Sequence, residues 1–262
     1  MQISSYNSLN EIFFLQFEKY QNEDHLFFNN LNLKKFQTYT WADTNNNVLK
    51  LAKFLNEKKI IKGDRVLLVS ENRPEWLIAD LAILLNSGIT VPNYTTYTVN
   101  DFAFTINDCK PSGLIVSSPQ LLKNILLAAR KINYNFNFII LLNETNEVVA
   151  DNVINFSTII EKKIDIEETK IFFKKINTSL IRKDPACIIY TSGTQGTPKG
   201  VVLSHGGILK NCEGALEFLY FIKEQQNTFV TWLPLSHSYE HTVQFVQLSL
   251  GAKIFYSESL DK

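Results

Sequence analysis

The sequence predicts an α/β protein of layered, doubly wound, mostly parallel sheets with helices on both faces. Three observations carry that expectation. Short apolar runs recur at residues 65–70, 89–92, 113–116, 138–142 and 186–190. Stretches of helical periodicity fall between them, and turn or capping residues (Gly63-Asp64, Asn72 before Pro74, Gly88, Thr98, Pro119) mark the junctions. Continuously apolar strands alternating with helices belong to parallel sheets, because each crossover helix covers a sheet face and leaves the strands buried on both sides.

From the amino end, Ile12, Phe13, Leu15 and Phe17 predict a helix over Leu9–Tyr20, with Ser8 near its N-cap. Leu26–Phe28 and Phe36–Tyr39 read as short strands. Thr40 opens a second helix whose buried stripe is Trp41, Val48, Leu51, Ala52 and Leu55. Arg65–Ser70 is a strand. Asn72 is read as the cap of the next helix, with Pro74 in its first turn, where a missing N–H is harmless. That helix carries Trp76, Leu77, Leu81, Leu84 and Leu85 and stops near Gly88, and Ile89–Pro92 is a strand again. Thr98 precedes a helix with Phe102 and Ile106. Gly113–Val116 is a strand, Pro119–Lys131 a helix, Phe138–Leu142 a strand. Asn143–Asp151 is polar and is expected to loop out. Ser157–Asn177 carries one or two helices with a solvated charged face. Ala186–Tyr190 and Val201–Leu203 are strands. Ser204-His205-Gly206-Gly207 leads into a helix with Ile208, Leu209, Cys212, Leu216 and Leu219, and His205 is read as its cap. Phe229–Trp232 and Ala252–Tyr256 read as the last strands. No repeat or Gly/Ser linker divides the chain. A boundary is placed near Asn177–Asp184, giving segments 1–180 and 181–262.

Composition excludes several classes. The chain has 262 residues, 45% hydrophobic and 20% charged, enough for one large domain or two medium ones. Its 26 basic residues balance 26 acidic ones, so no basic face points to nucleic acid. Cys109, Cys187 and Cys212 are far apart and form no CxxC pair, which argues against a disulfide framework or zinc site and fits the reduced thiols of a cytoplasmic protein. The first ten residues do not read as a signal peptide. The apolar stretch Trp76–Val91 is broken by Asp80 and Asn86 and does not read as a membrane span.

The chemistry concentrates in Tyr190–Gly200, YTSGTQGTPKG. Gly193, Gly196 and Gly200 let backbone approach a ligand closely. Successive N–H groups in such a turn form an anion site, to which Thr191, Ser192 and Thr194 add hydroxyl donors. Lys199 adds a full positive charge and Pro198 stiffens the chain before it. A lone Gly-Ser-Thr loop is more often a plain hairpin. Here the density of donors and the lysine, directly after a buried strand, point to a polyphosphate cradle. A Walker A loop fails on two positions: Pro198 stands where its second Gly belongs, and Gly200 where its Ser/Thr belongs.

This stretch closely resembles the phosphate-binding signature of the adenylate-forming superfamily, which includes acyl-CoA synthetases, luciferases and peptide-synthetase adenylation domains. The usual pattern is YTSGTTGxPKG, and the chain departs from it at Gln195. Earlier runs, among them Asn72-Arg73-Pro74-Glu75-Trp76 and Asn107-Asp108, look like the amino-terminal part of long-chain acyl-CoA synthetases. The resemblance implies that Thr191, Ser192, Gly193, Thr194, Gln195, Gly196 and Lys199 hold ATP through its phosphates, with Mg²⁺ offsetting charge and coenzyme A as co-substrate.

His237–His241 spells HxxEH, the inverted zincin pattern. It follows Leu233-Pro234, where a loop or helix start is more natural than a helix middle, and a third ligand would have to come from a downstream helix within the 21 residues after His241; no metal site is expected. LPLSHSYEH instead resembles the LPLxHxxE segment of long-chain acyl-CoA synthetases. The resemblance implies that His237 lies where ATP, a carboxylate and the acyl pocket meet, and it is read with Lys199 as catalytic. His25 sits in a polar segment and carries no functional argument.

The expectation is therefore a fatty acid–CoA ligase seen in its amino-terminal part, inactive alone, because the family's later elements and its mobile carboxyl-terminal domain do not follow Lys262. Peripheral membrane attachment is left open. The rival readings are a nucleotide- or acyl-binding module without turnover and an adenylating enzyme for another carboxylic acid.

Overall fold

Val66 and Leu68 face one hydrophobic cluster while Leu67 and Val69 face another, as the two-residue period of a strand requires. This strand, β3 (Arg65–Val69), lies at the middle of a seven-stranded sheet. The structure, a computed structural model, describes residues 3–30, 35–144, 152–191, 198–222 and 227–257.

Beside β3 run β4 (Ile89–Asn93) on one side and β5 (Gly113–Val116), β6 (Phe138–Leu141) and β7 (Val153–Asn155) on the other, all parallel. Beyond β4 come β8 (Pro185–Thr191), parallel to it, and β9 (Lys199–Ser204), antiparallel to β8. The order is β7-β6-β5-β3-β4-β8-β9. A four-stranded sheet contains β1 (Asp24–Asn30), β2 (Lys35–Thr40), β10 (Thr228–Thr231) and β11 (Lys253–Tyr256) in the order β10-β11-β1-β2. Within it only the β1–β2 pair is antiparallel. The expectation of mostly parallel sheets between helical layers holds.

The larger cluster contains side chains from β1, β3 and β11 and from α1 (Leu9–Tyr20), α2 (Trp41–Glu57), α3 (Pro74–Leu85), α8 (His205–Phe218) and α9 (Ser238–Ser249). Every residue of α3 is buried, Glu75 and Asp80 included. The second cluster joins the opposite face of the large sheet to α4 (Val99–Cys109) and α5 (Pro119–Lys131). Phe138 lies so close over Gly113 that a side chain there would meet its ring, which explains a glycine inside a strand. Cys109, Cys187 and Cys212 are buried, free thiols.

Several boundaries differ from the sequence reading. Residues 156–177 form two helices, α6 (Phe156–Ile160) and α7 (Ile166–Asn177), after β7, a three-residue strand too short to announce itself. Residues 145–151 of the expected loop lie outside the described residues. Arg73, not Asn72, is the N-cap of α3, and Pro74 is its first residue. Ser204, not His205, caps α8, its Oγ accepting from Gly207 N at 3.1 Å. His205 is instead fully buried, its Nδ1 accepting from Leu9 N at 3.3 Å. His25, polar neighbours notwithstanding, is buried and stacked on Trp41 with ring centroids 3.6 Å apart. Among the described residues no helix is long and apolar enough to cross a membrane.

Candidate active-site cleft

The antiparallel pair β8–β9 carries the glycine-rich loop. Its ladder runs through Tyr190↔Gly200 to Thr191↔Lys199, so the loop's two stems leave the sheet side by side. Ser192, Gly193, Thr194, Gln195 and Gly196 lie outside the described residues. The site is therefore built from the stems and what faces them.

A cleft of about 400 Å³ opens at the carboxyl ends of β4 and β8, the ends at which ligands bind in open α/β sheets. Thr191 and Pro198 line it from the loop stem, Tyr94 and Tyr97 from the segment after β4, Asp101 and Thr105 from α4. His237 and Ser238 close the far side. Lys199 is exposed, one residue beyond Pro198. The structure thus brings Thr191 and His237 to one cleft, whereas Lys199, next to Pro198 in the chain, is not among its lining residues.

His237 is the N-cap of α9, where chain geometry rather than helix periodicity places it. Its Nδ1 accepts from Tyr239 N at 3.2 Å, and its own N–H donates to Pro234 O at 2.9 Å. A ring whose Nδ1 accepts carries its neutral-state proton on Nε2, so it presents a donor. An exposed donor at a cleft edge can receive a carboxylate or phosphate oxygen.

Two contacts from the α3 region fix this wall. Asn72 Nδ2 donates to Leu233 O at 2.7 Å and its Oδ1 accepts from Leu235 N at 3.0 Å. The amide thus pairs with the 233–235 backbone as a neighbouring strand would. One turn into α9, His241 Nε2 is 2.8 Å from Asp80 Oδ2, and Thr90 Oγ1 donates to Asp80 Oδ1 at 2.6 Å. Burial alone would lower the His241 pKa. The Asp80 carboxylate, with the Cys187 thiol beside the ring, outweighs burial and raises it to about 10. His241 is therefore an imidazolium at neutral pH, and it packs edge-on to Trp76. Burial also raises the Glu240 carboxyl.

The HxxEH pattern is resolved by this geometry. His237 is exposed at the cap while His241 is buried against Asp80, so the two do not converge. Among the described residues no three His, Cys, Asp or Glu side chains could hold a metal. Sequence reasoning missed Asn72 as a clamp and Tyr94, Tyr97, Asp101 and Thr105 as cleft wall. A buried Asp80 in an apolar helix was the one visible signal that something polar must meet it.

Comparison with known proteins bears on the family and the fold. A family model described as AMP-binding enzyme matches residues 13–262. Long-chain-fatty-acid–CoA ligase 6 of Homo sapiens is 28% identical over 190 residues, 71% of this chain and 27% of that protein. Long chain acyl-CoA synthetase 8 of Arabidopsis thaliana is 26% identical over 235 residues, 89% and 32% respectively. Among solved structures, the luciferase-like enzyme of Zophobas morio superposes with a TM-score of 0.78 at 18% identity, over 97% of this chain and 55% of that one. A long-chain-fatty-acid–CoA ligase of Archaeoglobus fulgidus gives 0.73 at 18%, over 97% and 48%. These structures share the fold. The chain spans about a third of the length of the curated relatives it matches.

Proposed function

This chain belongs to the family of AMP-binding enzymes, and from that premise we propose that it supplies the nucleotide-phosphate and carboxylate subsites of an ATP-dependent fatty acid–coenzyme A ligase. The observation that carries the reading is the cleft itself, with the loop stem at Thr191 and Pro198 on one wall and His237 on the other.

In the proposed reaction a fatty carboxylate oxygen attacks the α-phosphorus of ATP, and pyrophosphate leaves. The thiolate of coenzyme A then attacks the acyl carbonyl carbon of the resulting mixed anhydride, and AMP leaves with the electron pair. Thr191, Ser192, Gly193, Thr194, Gln195, Gly196 and Lys199 are assigned to the β- and γ-phosphates, the lysine as a point charge and the loop as a set of donors. His237 is assigned to the acid, its Nε2–H donating to the carboxylate so that the attacking oxygen is held in place. Mg²⁺ would offset phosphate charge. Segment 1–180 supplies the His237-supporting contacts Asn72 and Asp80, and segment 181–262 supplies the loop and His237 itself.

By itself the chain is proposed to bind ATP without forming acyl-CoA, since it covers a third of its relatives. Acid-dependent pyrophosphate exchange by a protein of the relatives' length containing this chain tests the reading across a panel of fatty, aryl and amino acids. Exchange that depends on fatty acids supports the ligase assignment. Exchange only with aryl or amino acids transfers the site to another acid, and none with any acid leaves a binding module.

A further inference from the structure

We propose that Asp108 is a positioning residue: through Tyr190 it sets the spacing of the two stems of the phosphate loop, and so the place of Lys199. The proposal rests on the phosphate-loop reading above and assigns a part of its machinery outside the glycine-rich stretch.

Tyr190 is buried, and its hydroxyl donates to Asp108 Oδ2 at 2.6 Å, the short contact of a charge-assisted bond. Phe104 meets the ring edge-on at a centroid distance of 6.2 Å, so α4 holds Tyr190 at two points. Across the ladder from Tyr190 stands Gly200. A Cβ at Gly200 would lie 3.2 Å from Tyr190 Cζ and 3.0 Å from Ile188 Cγ2. The ring therefore lies over the opposite stem, and a side chain at Gly200 would press on it. The next pair in the ladder is Thr191↔Lys199. The hydroxyl end of the ring is thus anchored by Asp108 and packed over Gly200 at once, which braces one stem against the other, one residue from the lysine and from a cleft-lining threonine.

Asp108 also sits against local preference. It occupies the last turn of α4, where the helix dipole disfavours a negative charge. The helix end is otherwise served by Arg65, which donates to Cys109 O at 2.8 Å and Lys110 O at 3.1 Å. A carboxylate in that turn is explained by Tyr190, not by the helix.

The experiment measures ATP binding, with Mg²⁺, to the 262-residue chain by calorimetry. The variants are Asp108→Ala, Tyr190→Phe, their double, Asp108→Asn and Gly200→Ala. The expected result is that each of the first two weakens ATP on the order of tenfold, and the double no further, because both remove the same interaction. Asp108→Asn keeps an acceptor and most of the affinity. Gly200→Ala, which pushes the ring without touching the carboxylate, reproduces the loss. Unchanged affinity in both single variants, or losses that add in the double, overturns the proposal and leaves the phosphate-loop reading standing. Where the parent chain itself binds no ATP, that reading fails separately. Amide exchange then decides the proposal: faster exchange at Thr191 and Lys199 in Asp108→Ala but not in Asp108→Asn, with β5 and β6 unchanged, supports it, and unchanged stem exchange in Asp108→Ala removes it.

Discussion

His205 and His241 are both buried near the start of a helix, yet one is neutral and the other charged at neutral pH. His205 faces a backbone donor, the Leu9 N–H, so its Nδ1 must stay unprotonated. Burial, with Asp184 and Asp80 pulling weakly the other way and Lys62 adding to burial, lowers it to about 4. His241 faces the Asp80 carboxylate and is held protonated. The partner, not the depth, decides the charge of a buried imidazole. The two also serve different ends of the molecule: His205 ties α8 to the start of α1, whereas His241 anchors the helix that carries His237 over the cleft.

The strongest way to break the comparison is to remove Asp80. Asp80→Ala strips His241 and Thr90 of their shared buried partner and is expected to cost about 3–5 kcal/mol in denaturant unfolding. The mirror-image change, His205→Ala, leaves one backbone donor without an acceptor and opens a small void, and should cost less, about 1–3 kcal/mol. Equal losses would mean that both sites act through packing alone.

The pH dependence sharpens the contrast. For His205 the folded pKa lies below the ordinary value of 6.5. Its contribution is full above 6.5 and is lost as pH falls toward 4, on the order of 3 kcal/mol. For His241 the folded pKa lies above 6.5, so its contribution is full below 6.5 and is lost as pH rises toward about 10. Stability should therefore peak near pH 6.5. His205→Gln should flatten the acid limb and leave the alkaline one, and Asp80→Asn the reverse. An unchanged profile in both would refute the assigned charge states.

Asn72→Ala removes two backbone contacts of the 233–235 segment and is expected to cost about 1–2 kcal/mol, with faster amide exchange at Leu235 as its local signature. Lys199→Ala, at an exposed position, should change stability by less than about 0.5 kcal/mol. It should nevertheless weaken ATP binding, and unaltered binding would remove the role given to this lysine.

Much of the fold was legible because burial on both faces writes continuous apolar runs. The limits of β3, β4, β5 and β6 fall within a residue of those read from 65–70, 89–92, 113–116 and 138–142. Capping was legible where the side chain acts on its own helix, as Thr40 and Thr98 do through Asp43 and Asp101. It misled where a side chain serves a distant partner. Asn72 stands where a cap belongs but reaches residues 233 and 235, and His205 stands beside a cap but reaches Leu9. The loop stem at Thr191 and Lys199 was readable from composition, whereas the walls opposite it come from segments that only the sheet order brings near. A one-dimensional pattern records periodicity and local turns; it does not record which strand becomes whose neighbour.

The order β10-β11-β1-β2 also puts a clock on the chain's assembly. Leu26 in the first strand pairs with Ile254 in the last. Until β11 exists, β1 has only its antiparallel neighbour β2, and a lone two-stranded ribbon is barely stable in water. At about 5–20 residues per second the ribosome takes roughly ten seconds or more to deliver the missing edge. Phe27, which ends up stacked face to face on Phe255, spends that interval without its partner. The seven-stranded sheet's β3–β6 block is complete long before, so the nascent protein ripens from its centre outward and closes its first strand last.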